Sequence, residues 1–187
     1  MREKLGEILL RQGHLNNHQL NDALARQKDT KKKIGESLVS LGHCSEEKVY
    51  AALAYVRANG LDRIIWDSAA GSKPARLGII TTGKSYGDTM QALSDLGIDE
   101  NTAREIGIRL YKVAMSWPLE PQGARKFAQG LEEILVVEEK RQMVEYQLKE
   151  QLYNWRPDVR PNVLGKFDDS LDGGAGGEWG RPNPSAN

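Results

Sequence analysis

Cysteine is nearly absent from this chain of 187 residues: Cys44 stands alone. One thiol excludes a disulfide framework and falls short of the several closely spaced thiolates that an iron–sulfur cluster needs. Charge of one sign is also lacking. The 26 basic and 26 acidic residues leave a formal net charge of +0, which gives nothing to steer DNA, RNA or an anionic membrane surface. No stretch reaches the roughly 18 consecutive apolar residues of a membrane span, and the first residues have no apolar core of the signal-peptide kind. The expected compartment is the cytoplasm, and the expected partners include neither nucleic acid nor a membrane.

What is present divides near Arg57. Before it, Lys4-Leu5-Gly6 opens a pattern with Leu9, Gly13, Leu20, Leu24 and Gln27, and Lys33-Ile34-Gly35 restarts it with Leu38, Gly42, Val49, Leu53 and Val56, 29 positions later. Apolar residues three or four apart make each copy two short amphipathic helices. Gly13 and Gly42 stand where a first helix must stop, as left-handed caps. Asn16 or Asn17, and Ser45 ahead of Glu46 and Glu47, then open the second helix.

This tandem resembles the MshEN domain, the N-terminal module of pilus-assembly and type II secretion ATPases, some members of which bind cyclic di-GMP. The resemblance covers residues 4–56, with residues 28–32 as the spacer between the copies. It implies a ligand set of Lys4, Gly6, Leu9, Gly13, Leu20 and Leu24, and in the second copy Lys33, Gly35, Leu38, Gly42, Val49 and Leu53. Lys4 and Lys33 replace the usual arginines, which can grip guanine or phosphate at two points where lysine offers one charge, and Val56 replaces the second glutamine. Two readings stay open: a cyclic di-GMP module, or a helical docking module on the same scaffold.

From Leu61 onward short β-rich runs alternate with helical stretches, the pattern of βα units on a mainly parallel sheet. Strands are expected over 77–82, 108–115, 134–137 and 163–167, with Ile64-Ile65-Trp66 as an edge strand or lead-in. Helices fit over 86–96, 101–106, 122–130 and 141–153, with Pro118 and Pro121 bracketing a turn before the third. The continuous run Ile134-Leu135-Val136-Val137 predicts a strand covered on both faces.

The segments Ala75 to Tyr86, Gly107-Ile108-Arg109-Leu110-Tyr111-Lys112-Val113, Trp117-Pro118-Leu119-Glu120-Pro121 and Glu132 to Arg141 are similar to an internal domain of indolepyruvate ferredoxin oxidoreductase. Gln147 to Asn154 and Gly165 to Asp168 extend the match, which covers roughly residues 58–179. The resemblance implies a transketolase C-terminal-like fold. It also implies a parent enzyme that decarboxylates aryl pyruvates with thiamine diphosphate and Mg, forms an acyl-CoA and passes electrons through iron–sulfur clusters. Gly87-Asp88-Thr89 has no partner asparagine at the distance a thiamine enzyme requires, so none of these cofactors is expected on this chain itself.

Several motifs invite other chemistry. Gly78 to Ser85 satisfies the phosphate-loop pattern, yet its middle, Ile79-Ile80-Thr81-Thr82, is β-branched and belongs in a strand. Gly83, Lys84 and Ser85 then form a strand-to-helix turn that could hold an anion. His14 and His18 have zinc-ligand spacing, but Gly13 breaks the helix before them and His43 repeats His14, so no metal site is expected. Cys44 matches Leu15 of the first copy and reads as a small core residue. Glu138, Glu139, Lys140 and Arg141 read as a solvated cluster at a strand end, and Lys31, Lys32 and Lys33 as spacer.

The expected organisation is therefore α/β: a four-helix tandem-repeat mini-domain over 1–57, a three-layer domain with a mostly parallel sheet over 58–169, and a disordered Gly/Pro-rich tail over 170–187. The expected function is a non-catalytic part of a 2-oxoacid ferredoxin oxidoreductase, inactive alone and partnered by the remaining domains or subunits. A cyclic di-GMP-responsive regulator or docking protein is the alternative.

Overall fold

A computed structural model describes residues 5–30, 34–68, 74–139 and 141–166. Lys4, Lys31, Lys32, Lys33, Lys140, Phe167 and the tail from 170 onward lie outside the described residues.

Four helices come first: α1 (Leu5–Arg11), α2 (Asn17–Thr30), α3 (Ile34–Ser40) and α4 (Glu46–Ala58). Asn16 is the N-cap of α2. Its Oδ1 accepts the Gln19 N–H at 2.9 Å while Gln19 Oε1 accepts the Asn16 N–H at 3.0 Å, a reciprocal box that satisfies two orphan donors. Gly13 and Gly42 take φ of 70° and 68°, and beyond them the His14 and His43 N–H groups reach back to the carbonyls of Leu9 and Leu38, both at 2.9 Å. Ser45 stands at the N-cap of α4 in extended backbone, without a side-chain bond to the helix. The helices close over Ile8, Leu9, Leu38, Cys44, Ala52 and Val56. Cys44 is 3 % exposed, and burial pushes its thiol pKa up.

A five-stranded sheet follows, ordered β1-β3-β2-β4-β5, from β1 (Arg63–Trp66), β2 (Leu77–Thr82), β3 (Ile108–Val113), β4 (Glu133–Val137) and β5 (Asn162–Leu164). All neighbours are parallel except β1, which runs antiparallel along β3 at the edge. Helices α5 (Lys84–Asp95) and α6 (Glu100–Ile106) lie on one face, where Leu93 and Ala103 pack on Ile79 and Leu110. Helices α7 (Pro121–Ala128) and α8 (Met143–Leu152) lie on the other, where Phe127, Val144 and Leu148 meet Ile80, Tyr111 and Ile134. Gly78 permits this closeness: a Cβ there would run into Leu131 and Phe127. Among the described residues no helix is long and apolar enough to cross a membrane.

Four expectations are corrected. Strand β5 ends at Leu164, with Gly165 and Lys166 already outside it, rather than running over 163–167. Strand β3 stops at Val113 rather than 115, because the next two amides bond to Asp62 instead of a neighbouring strand. Strand β4 is covered on both faces only at its end: Ile134 and Val136 point into the α7/α8 core, and on the opposite side Val137 packs beside the α5/α6 core while Glu133 is exposed and Leu135 is 37 % exposed. Glu138 is no solvated charge. It is 8 % exposed and accepts the Met143, Val144 and Glu145 N–H groups at 3.0, 2.9 and 3.1 Å, capping α8. Burial raises its pKa against the lowering effect of those bonds.

Candidate functional site

The chain leaves β2 toward α5 on one face and leaves β3 toward α7 on the other. Where successive connections diverge in this way, an open α/β sheet has a crevice at the carboxyl ends of its strands, the usual place for a ligand. One lip is the turn of Gly83, Lys84 and Ser85, and the other is Ala114, Met115 and Ser116. Because β1 is antiparallel, its entry from the helical segment lies at this same edge, with Arg63 opposite Lys112. The helices therefore sit at the crevice: Met115 is buried in their core, and Trp117 packs against it.

Carboxylates organise this junction. Asp62 Oδ1 accepts the Ala114 N–H at 2.7 Å and the Met115 N–H at 3.2 Å. Burial nevertheless pushes its pKa up to about 6, outweighing the two bonds, with the charge of Glu120 adding to the rise. Glu120, 2 % exposed, caps α7 by accepting the Gln122 and Gly123 N–H groups at 3.1 and 2.6 Å, with Pro121 in the first helical turn. Arg57, on the last turn of α4, donates to the same carboxylate at 3.3 Å and ties the helices to the sheet. Tyr111 stacks on Phe127 with ring centroids 5.0 Å apart. Its buried hydroxyl has no hydrogen-bond partner among the described residues, and burial followed by the charges of Asp62 and Glu120 holds its pKa high.

Gly83, at φ 60°, N-caps α5, Ser85 is buried, and the Lys84 ammonium lies along the helix, 3.0 Å from Asp88 Oδ2. Gly78 to Thr82 are strand throughout, so the backbone that a phosphate loop would wrap around phosphates is committed to the sheet. The helical-segment residues separate into groups. Gly6, Leu20 and Leu24, with Gln27, line a cleft of about 340 Å³. Gly35, Val49 and Leu53 line another of about 510 Å³, and Trp117 borders both. Leu9 and Leu38 are fully buried, while Gly13 and Gly42 occur in turns after α1 and α3. His14 and His18 stay apart from any metal-like cluster: among the described residues no group of three or more His, Cys, Asp or Glu could hold a metal ion.

Two side chains that cluster or diphosphate–metal chemistry would draw on are engaged elsewhere among the described residues. Cys44 is enclosed in the helical core away from any second thiolate, and Asp88 sits in the body of α5 paired with Lys84. Sequence reasoning missed Asp62, which bonds backbone 52 and 53 positions away, and the Arg57–Glu120 pair, which joins α4 to the cap of α7. The one visible signal was Glu120 before Pro121, a helix-start pair.

Comparison with known proteins places residues 67–187 in a match to the family described as "Indolepyruvate ferredoxin oxidoreductase middle domain". Residues before 67 lie outside that match. The indolepyruvate oxidoreductase subunit IorA of Pyrococcus abyssi is 37% identical over 79 residues, covering 42% of this chain and 11% of the relative. Among solved structures, "Split gene transketolase, inactive beta4 tetramer" aligns with a TM-score of 0.41 and 16% identity over 57% of this chain and 32% of that one. A 2-oxoglutarate:ferredoxin oxidoreductase from Magnetococcus marinus aligns with 0.40 and 17% over 69% and 20%. The chain thus corresponds to about a tenth of the length of the IorA relative.

Proposed function

We propose, since this chain belongs to the indolepyruvate ferredoxin oxidoreductase middle-domain family, that it is a non-catalytic docking unit of a 2-oxoacid ferredoxin oxidoreductase, its chemistry supplied by other domains or subunits. The observation that supports this reading is an apolar stretch of the sheet that no helix covers among the described residues. Leu135 of β4 faces outward beside its register partner Leu164 of β5, flanked by Glu133 and Asn162. Helices cover the other half of that face. A parallel sheet ordinarily has both faces covered, and a relative about nine times longer than the matched stretch has ample chain to supply the missing layer. In this reading the segment 1–57 is a helical head anchored on the sheet through Met115 and the Arg57–Glu120 pair, and the thiamine- and cluster-bearing parts are partners in the cytoplasm.

Co-expression with the subunits that carry thiamine diphosphate and the clusters tests it. The tagged wild-type chain should retain them through purification, and Leu135→Lys should release them. The chain alone, given indolepyruvate, CoA, thiamine diphosphate, Mg and an electron acceptor, should give no turnover above the blank; turnover would overturn the reading.

A second reading, cyclic di-GMP binding by the helical head, is favoured by one observation: the two clefts beside Trp117 are lined by the same three positions of the two sequence copies. Calorimetric heat with cyclic di-GMP that disappears in a Lys4→Ala, Lys33→Ala double variant supports it, and no heat sinks it.

A further inference from the structure

Glu46, Val49, Tyr50 and Leu53 recur three or four positions apart and so share one face of α4. That face forms one wall of the cleft of about 510 Å³, a volume in the range of small-molecule sites. Trp117 and Pro118, from the loop after β3, form another. Gly35 lets the indole in: a Cβ there would run into the six-membered ring of Trp117. Tyr50 is 66 % exposed at this cleft, an aromatic ring left in water beside apolar surface. Among the described residues, the one charged side chain that lines the cleft is the carboxylate of Glu46. Ser40, Glu46 and Tyr50, all lining it, stand 29 positions after Arg11, Asn17 and Asn21. Against those counterparts the cleft exchanges a cation for a hydroxyl, an amide for a carboxylate and a second amide for an aromatic ring. All three changes favour positive charge. Indole and phenol rings attract a cation to their faces, and a carboxylate adds a counter-ion. The aliphatic surface of Val49, Leu53 and Pro118 suits alkyl groups, and an alkylated ammonium has no N–H that burial there would leave unpaired.

We propose that the cleft lined by α3, α4 and Trp117 is a binding site for a small organic cation of the quaternary ammonium class, held by the Trp117 and Tyr50 rings with Glu46 as its counter-ion. The site belongs to the helical segment and stands whether or not the sheet docks a partner.

Three phenols that differ in one substituent test it on the full chain: para-hydroxyphenyl-trimethylammonium, its neutral isostere para-tert-butylphenol, and the anion para-hydroxybenzoate. The ammonium should shift the Gly35 amide and Trp117 indole N–H resonances saturably and bind about tenfold more tightly than the butylphenol, while the benzoate should leave both resonances in place. Glu46→Gln should weaken the ammonium about threefold and leave the butylphenol unchanged. Tyr50→Asn should weaken the ammonium about tenfold, and Tyr50→Phe should keep it. Both side chains are exposed, so these variants should fold, and the wild-type comparison of the three ligands needs no variant. The proposal is overturned by butylphenol or benzoate binding as tightly as the ammonium, by Glu46→Gln acting equally on the charged and neutral ligands, by shifts confined to Gly6 and Leu20 in the other cleft, or by no saturable shift at Gly35 and Trp117.

Discussion

The two halves of the sheet have the same backbone pairing and different surroundings. Around β1, β3 and β2, helices cover both faces: α5 and α6 bury Ile79 and Leu110, and α7 and α8 bury Ile80, Tyr111 and Val113. Around β4 and β5, the α7/α8 face is covered, while on the other face Val137 packs beside the α5/α6 core and, among the described residues, Leu135 stays partly in water. A covered strand stabilises the isolated chain, whereas a half-covered one keeps apolar area in reserve for association. Substitutions in the two halves should therefore fall into different assays.

The covered half gives the largest expected effect. Phe127 is fully buried and stacked on Tyr111, with Gly78 shaped to admit its ring. Phe127→Ala should cost about 3–5 kcal/mol in urea unfolding. A loss below 1 kcal/mol would mean that this face is as loosely covered as the β4–β5 face.

Asp62 comes next, and its sign is unusual for a carboxylate. Its pKa in the folded chain is about 6, above an unfolded value near 4, because burial outweighs two amide bonds. Between those values the folded state binds more protons than the unfolded one, so this group's contribution to stability falls as pH rises through the window. Relative to Asp62→Asn, which cannot ionise, wild type should lose up to about 3 kcal/mol between pH 4 and pH 7. Parallel stability profiles for the two proteins would remove the explanation.

Glu138 tests a smaller effect, a cap instead of a core. Glu138→Ala leaves three amides at the start of α8 without their acceptor and should cost about 1–2 kcal/mol. An unchanged urea midpoint would show that water replaces the carboxylate fully.

Much of this architecture was legible because it rests on local pattern. The runs over 77–82, 108–115 and 134–137 are apolar and β-branched, and the structure makes each a strand of a mostly parallel sheet, the second ending early at Val113. Gly13 and Gly42 marked helix ends because only a left-handed residue closes such a turn cheaply. The lip at Gly83 to Ser85 was visible for the same reason, as a turn between a strand and a helix. The opposite lip was not. Asp62 meets Ala114 across 52 positions and Arg57 meets Glu120 across 63, and bonds of that range leave no periodicity to read. Leu135 misled for a related cause: an apolar run reports that a strand prefers burial, while the sequence alone does not say which chain supplies the cover.

Leu135→Lys is expected to have the smallest effect on the isolated chain and is the sharpest test of the contrast between the halves. At 37 % exposure, and beside Leu164 rather than beneath a helix, Leu135 gives up little contact when a lysine stem replaces it and the ammonium turns to water. The urea midpoint should move by no more than about 0.5 kcal/mol equivalent. The same charge placed in a buried interface with the rest of the oxidoreductase would have no water to meet it, and retention of the partner should fall sharply. Only a docking face predicts a near-silent stability measurement together with a lost complex. A variant that unfolds would show that the β4–β5 face is already covered within the chain, and a variant that keeps its partner would move the docking surface elsewhere.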